Sequence, residues 1–330
     1  MKRVKSILQN NNWIWALLGA VLLWLFMGIF SGRLNLQSFL TNAYVASFLA
    51  ILTFGQMLVV TSGRGAIDLS IPGVLTLMAF VSMGIINGKN SMILPALLVC
   101  TALAVVIGVF NAFMVIILQL PAIIATMASN YILTTAALLI NKNFSVFAVA
   151  PILQKIACDN LFGIPIMIYI ALLVALLFGF LLYRTAYGKS LLCMGQNREA
   201  AQLSGVKVNT VEVLTYIFSG ILASVGGILI AARVGGALLG MGNSYMMETV
   251  AAIVVGGTLM SGGKASVPGT LAGCLFLSLV VTSMQIMGFS IGIQNIAKGL
   301  LIIGVLLIGS PGRERKSRRL VSDSPVQKVE

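Results

Sequence analysis

The 330 residues are 59% hydrophobic and only 9% charged, with a mean hydropathy of +1.04, whereas a soluble chain carries about 25% charged residues to cover its surface. Lipid is therefore the bulk solvent of this chain, and a soluble enzyme or binding domain is excluded. The net charge of +13 gathers at the chain ends and in one internal loop, without the aromatic-interleaved basic patch that stacks on bases, so no nucleic-acid partner is expected.

A helix needs about 20 apolar residues to cross the hydrocarbon core. Residues 13–30 supply the first such run, after Lys2, Arg3 and Lys5. It is too long for a signal-peptide core and lacks a small-residue cleavage site, so it reads as a retained span. Trp13, Trp15 and Trp24 are expected to serve partly as interfacial anchors. Further runs follow at 43–62, 71–87, 92–118, 121–140, 165–183, 211–232, 246–260, 267–287 and 291–309. Pro121 marks a tight turn between the fourth and fifth, because proline cannot continue a helix.

The expected fold is an all-α polytopic membrane protein of about ten transmembrane helices. The permease domain covers 13–310, with a cytoplasmic N-terminus at 1–12 and a disordered cytoplasmic tail at 311–330. With both termini inside, fifteen of the 21 basic residues fall in cytoplasmic segments. Arg33, Lys89, Lys142, Lys155 and Arg233 fall outside, and Lys298 falls within the last span. That bias fits the rule that Lys and Arg stay on the cytoplasmic side. Cys100, Cys158, Cys193 and Cys274 form no CxxC pair and the chain has no histidine, which argues against a zinc site or a disulfide framework. Cys100 and Cys274 lie in apolar runs and are expected to act as small hydrophobes.

Two segments break the apolar runs with similar sequences. One is Gly63-Arg-Gly-Ala-Ile-Asp-Leu-Ser-Ile-Pro-Gly73, the other Gly262-Gly-Lys-Ala-Ser-Val-Pro-Gly269, with Ser70 and Ser266 standing 196 positions apart. This points to a possible internal repeat of the kind transporter folds carry. Each reads as a helix start, with Ser70 and Ser266 as N-caps and Pro72 and Pro268 in the first turn. The preceding glycines permit close backbone approach or positive φ. The Lys264 segment reads as an ordinary cytoplasmic turn. It departs from a phosphate loop at Thr258 and Ala265, so no nucleotide site is expected here. Asp68 is costly in lipid and marks either a pathway or a structural ion pair, with Arg64 four residues away as a partner.

The loop 184–210 contains Gly195-Gln-Asn-Arg-Glu-Ala-Ala-Gln-Leu-Ser-Gly-Val206. Asn197 is a good N-cap, Glu199 an acid in the first turn, and Gly205 a good C′ residue. About seven helical residues result, too few to be stable alone. Such a helix must pack on something, either its own membrane domain or a partner, and Ala200, Ala201 and Leu203 offer a compact face.

This loop resembles the ATPase-coupling loop of the membrane subunits of ATP-binding-cassette importers, in the ribose-type sugar permease branch, through Gly195, Asn197, Ala200, Ala201, Ser204 and Gly205. The first broken segment is similar to that family's motif through Gly65, Ile67, Asp68, Leu69 and Ser70, departing at Ala66 and Pro72. Gly108-Val-Phe-Asn111 with Pro121 and Thr126 resembles its fourth-to-fifth span signature. Tyr245, Glu248, Ala251, Ala252, Gly256, Gly257, Thr258, Gly262 and Gly263 follow its late motif, which usually has an acid at Met246 and a glycine at Ala265. The resemblance covers roughly 40–310.

What it implies is a non-catalytic subunit in a bacterial inner membrane, paired with a second copy or a sibling permease. An ATPase subunit binds ATP and Mg, with no cofactor in this chain, and a periplasmic or lipid-anchored binding protein delivers the solute. A neutral monosaccharide fits best, with a sugar-like signal molecule or nucleoside as the alternative. Gln56, Asp68, Ser70, Asn111, Thr126, Asn130 and Glu248 are candidate pathway residues, each equally able to act in helix–helix hydrogen bonding. Few charged or aromatic side chains lie mid-membrane, so specificity is expected to rest with the binding protein. An ion-coupled secondary transporter is the rival class, which would use intramembrane acids or histidines as relays.

Overall fold

The computed structural model describes residues 13–31, 35–143 and 148–309; the expected terminal segments 1–12 and 311–330 lie outside the described residues. The chain forms α1 (Trp13–Ser31), α2 (Leu36–Thr61), α3 (Ile71–Ile86), α4 (Ile93–Ile116), α5 (Ala122–Asn143) and the short α6 (Pro151–Cys158). A two-residue antiparallel pair, β1 (Asn160–Leu161) and β2 (Ile164–Pro165), leads into α7 (Ile166–Arg184). Then come α8 (Ala186–Gln196), α9 (Arg198–Leu203), α10 (Val208–Val234), α11 (Tyr245–Val255), α12 (Val267–Ile286) and α13 (Ile291–Gly309).

Each expected span coincides with a helix. Six helices are long and apolar enough to cross a membrane, while the apolar stretches of α1, α3, α11 and α13 are shorter. The expected 246–260 run ends early, at Val255, where Gly256 and Gly257 follow and Gly257 takes φ +84°. Pro121 marks the α4–α5 turn as expected, with Gln119 at φ 52° just before it. Cys100 and Cys274 are buried in the core as expected.

The bundle is built around α2 and α10. In their apolar windows 83% and 67% of residues are buried, against 28%, 33% and 22% for α4, α5 and α7, so the last three lie at the periphery of the bundle with apolar faces turned outward. α10 packs on α2, α3 and α4, while α12 packs on α1, α2 and α11, and α13 on α11. Trp24 of α1 donates to Ser38 Oγ of α2 at 3.1 Å and meets Phe39 edge-on. α10 runs antiparallel to α2: Arg233 lies over Tyr44 and Phe48, Gly226 against Leu52, and Ser219 against Gly55. Close approach rests on missing side chains, since a Cβ on Gly108 would come 2.7 Å from the Ile217 Cα. Small residues of this kind let membrane helices pack at short range.

Two helices begin deep in the bundle. Ser219 lies about 16 Å along α10 at 1.5 Å per residue, and the chain returns to that depth through residues 62–70 before starting α3. Residues 235–244 also descend there, because a Cβ on Gly242 would strike the backbone of Pro72. α3 and α11 are thus half-helices whose N-termini meet near mid-bundle, the second break being one that the apolar pattern does not announce.

Candidate functional site

Five of the seven candidate pathway residues form one buried hydrogen-bonded lock around Asp68. Ser70 donates to Asp68 Oδ1 from its backbone N at 2.9 Å and from its hydroxyl at 2.6 Å. Ser219 of α10 donates to Oδ2 at 2.6 Å. Asn111 of α4 donates from Nδ2 to Ser70 Oγ at 2.8 Å. Thr126 of α5 accepts from Leu69 N at 2.9 Å. With its amide oriented to satisfy both ends, Gln56 of α2 donates to the Asp68 carbonyl at 3.0 Å and accepts from its N–H at 3.2 Å. Four helices thereby hold the irregular backbone of 67–70, which survives at membrane depth only because its polar groups are satisfied.

The expected Arg64–Asp68 pair does not form. Arg64 is exposed, and both carboxylate oxygens are occupied by serine donors. Ser70 is likewise not an N-cap by its side chain, since its hydroxyl is committed to Asp68 and Asn111. Ser266 caps as expected, accepting from Gly269 N at 3.1 Å. Asn130 stands apart from the lock: its Oδ1 is buried without a partner among the described residues and packs on Gly73. Glu248 is elsewhere again, bonded to Lys298 Nζ at 3.0 Å. The pair joins the one cation expected within the last span to a candidate pathway acid.

At one end of the bundle the loop 184–210 meets both broken segments. The 184–210 stretch is more ordered than its composition suggests, because α8 precedes the expected short helix. Thr185 caps α8 by accepting from Gly188 N at 3.2 Å, a signal present in the sequence and passed over. Tyr187 bonds Thr215 at 2.9 Å. Thr215 gives its own proton to Val211 O, so Tyr187 is the donor here, and burial raises its ionisation well above the usual tyrosine range. Asn197 caps α9 by accepting from Ala200 N at 3.0 Å, Ser204 donates to Ala200 O, and Gly205 takes φ +85°. Ala201 is buried against the body, whereas Leu203 is 90% exposed. The expected face therefore divides, Ala201 facing in and Ala200 and Leu203 facing out. Arg198, which sequence reasoning left without a role, fastens α9 by an ion pair of 2.6 Å to buried Glu212 of α10.

Gly195 is the point of closest approach. Its missing side chain leaves room for Thr61 O and Gly263 N, which bond each other at 3.0 Å, and a Cβ there would collide with both. Gly63 lies against the Gly195 carbonyl, Gly262 against Gly63, and Gln196 donates to Gly263 O at 3.3 Å. Gly63, Gly262 and Gly263 take φ of 89°, 89° and 74°. The Lys264 segment is therefore not an ordinary turn. It is one third of a three-way backbone junction, with Tyr183 of α7 donating to Ala265 O at 3.0 Å.

A lipid-facing helical bundle with half-helices meeting at depth and a fastened loop helix at one end defines a polytopic membrane permease. The chain belongs to the family described as branched-chain amino acid transport system / permease component, which matches residues 38–310. Among similar proteins, the ribose import permease protein RbsC of Escherichia coli (strain K12) is 31% identical over 78% of this chain and 81% of its own length. The autoinducer 2 import system permease protein LsrC of Salmonella typhi is 28% identical over 92% of this chain and 86% of its own. The probable ABC transporter permease protein YphD of Escherichia coli (strain K12) is 37% identical, over 47% of each chain. No solved structure matches. The resemblance to membrane subunits of ribose-type ATP-binding-cassette importers is borne out.

Proposed function

We propose that this chain forms half of the translocation core of an ATP-driven importer for a neutral monosaccharide, paired with a second permease. A solute-binding protein delivers the sugar at the Tyr44–Arg233 end, and an ATPase subunit, which holds ATP and Mg, docks at the α8–α9 end. Ten spans with both termini cytoplasmic in a bacterial inner membrane fit the basic-residue bias and the ten apolar helices. The observation that carries the reading is α9, tied inward by Arg198 and Ala201 while presenting a 90% exposed Leu203 to a partner. An isolated six-residue helix is far below the length that is stable on its own. The match to RbsC supports a pentose as cargo. The match to LsrC, which spans more of the chain, favours a sugar-like signal as the second reading.

The test is uptake of labelled pentoses and hexoses by vesicles holding the whole complex, with Leu203 intact or replaced by Asp. Uptake that needs ATP, the binding protein and Leu203 is the expected result. Uptake that ignores ATP and follows an ion gradient would overturn the reading in favour of a secondary transporter.

A further inference from the structure

Lys298 is buried and Glu248 half-buried, yet the pair is only partly satisfied. Glu248 lies in the first turn of α11, which starts beside Pro72 at mid-bundle depth, and Lys298 lies in α13. Their single contact joins Oε1 to Nζ at 3.0 Å, with Lys298 only 4% exposed. Among the described residues, neither Glu248 Oε2 nor the two other ammonium protons has a partner. A buried ion pair offsets its desolvation only when its remaining lone pairs and protons are also bonded, and a purely structural tie would leave few of them open.

The surroundings point to what fills these valences. Tyr245 stands one turn before Glu248 on the same helix, and its ring packs against the core. Asn243 and Ser244, just before it, are exposed, and irregular polar backbone at this depth lines a wet cavity or protein rather than lipid. An anion would meet the free Glu248 oxygen and a cation the Lys298 ammonium. A neutral solute carrying donors and acceptors side by side meets neither penalty. Two adjacent hydroxyls can donate to the carboxylate and accept from the ammonium, with the C–H face of the molecule on Tyr245.

We propose that Glu248, Lys298 and Tyr245 form a solute-recognition site within the permease itself, taking a neutral polyol through two adjacent hydroxyls. The inference rests on the monosaccharide reading above and moves part of the specificity from the binding protein to the membrane. Its test is equilibrium binding of labelled pentoses and hexoses to the permease–ATPase complex in nanodiscs without the binding protein, with L-leucine as the non-polyol control. Vesicle uptake is measured in parallel. At least one sugar should bind, and Glu248→Gln or Lys298→Gln should weaken it about tenfold or more, the loss of one charged hydrogen bond. The exchange variant E248K/K298E guards against misfolding. It should keep the complex monodisperse and thermally intact without regaining wild-type sugar binding.

Full recovery of sugar binding by the exchange, or unchanged binding in Glu248→Gln, would show a structural tie and overturn the site. Sugar uptake with no binding to the complex alone would also overturn the site while leaving the monosaccharide reading in place. Leucine taken up and no sugar taken up would sink the monosaccharide reading and the site together.

Discussion

The segments ending in Ser70-Ile-Pro-Gly and Ser266-Val-Pro-Gly are near twins in sequence, and each starts a helix at its second residue. They sit in opposite places. Counting back from the serine, Asp68 of the first aligns with Lys264 of the second. Asp68 is 3% exposed and draws in donors from its own segment and from α10, while Lys264 stays at the surface. The serine follows: beside the acid its hydroxyl joins the buried lock, and beside the base it caps its own helix. The acid-for-base difference goes with the placement: the segment that carries Asp68 is held inside the bundle, and the one that carries Lys264 lies at its end.

That contrast can be broken in graded steps, each read as unfolding of the purified protein in mixed micelles. Asp68→Ala is expected to cost most, about 4 kcal/mol, because it strands several buried donors at once. If it unfolds like the wild type, the carboxylate does not hold the segment. Gly195→Ala should cost about 3 kcal/mol, since its Cβ meets backbone on two sides and no rotamer can relieve it. Gly65→Ala, in open space at φ +66°, should cost only the left-handed penalty of about 1–2 kcal/mol. The two serines sharpen the comparison most directly. Ser70→Ala should cost about 2 kcal/mol as a buried member of the lock, against about 1 kcal/mol for Ser266→Ala as a cap. Equal losses would mean that the twins do the same job. Lys264→Ala should fall within about 0.5 kcal/mol of the wild type, as exposed positions do.

The spans were legible because hydropathy has a long reach: twenty apolar residues in a row leave few alternatives. The lock was legible in its membership, since Gln56, Asp68, Ser70, Asn111 and Thr126 stand out as polar residues in apolar runs, but not in its wiring. Nothing local indicates that Ser219, 151 positions from Asp68, supplies a donor, or that Ser70 spends its hydroxyl on that acid instead of a cap. Lys298 was visible inside the last span, yet its partner lies 50 positions away with no pattern linking them. The start of α11 was legible to within one residue, but its depth in the bundle was not, for a related reason. A hydropathy window averages over Gly240 and Gly242 and does not register that the chain has turned back into the bundle.

The junction of Gly63, Gly195 and Gly262–Gly263 has a mechanical consequence. Most contacts between moving elements pass through side chains, which can hop to another rotamer and absorb a displacement. Here main chain rests on main chain where Gly195 of α8 meets Thr61, Gly63 and Gly263, and the Gln196 side chain adds a bond to the Gly263 carbonyl. Such a joint has almost no backlash: a shift of about an ångström in the loop must appear at Thr61 and at Gly263 or break the bond between them. A linkage with so little play suits an engine whose stroke is short.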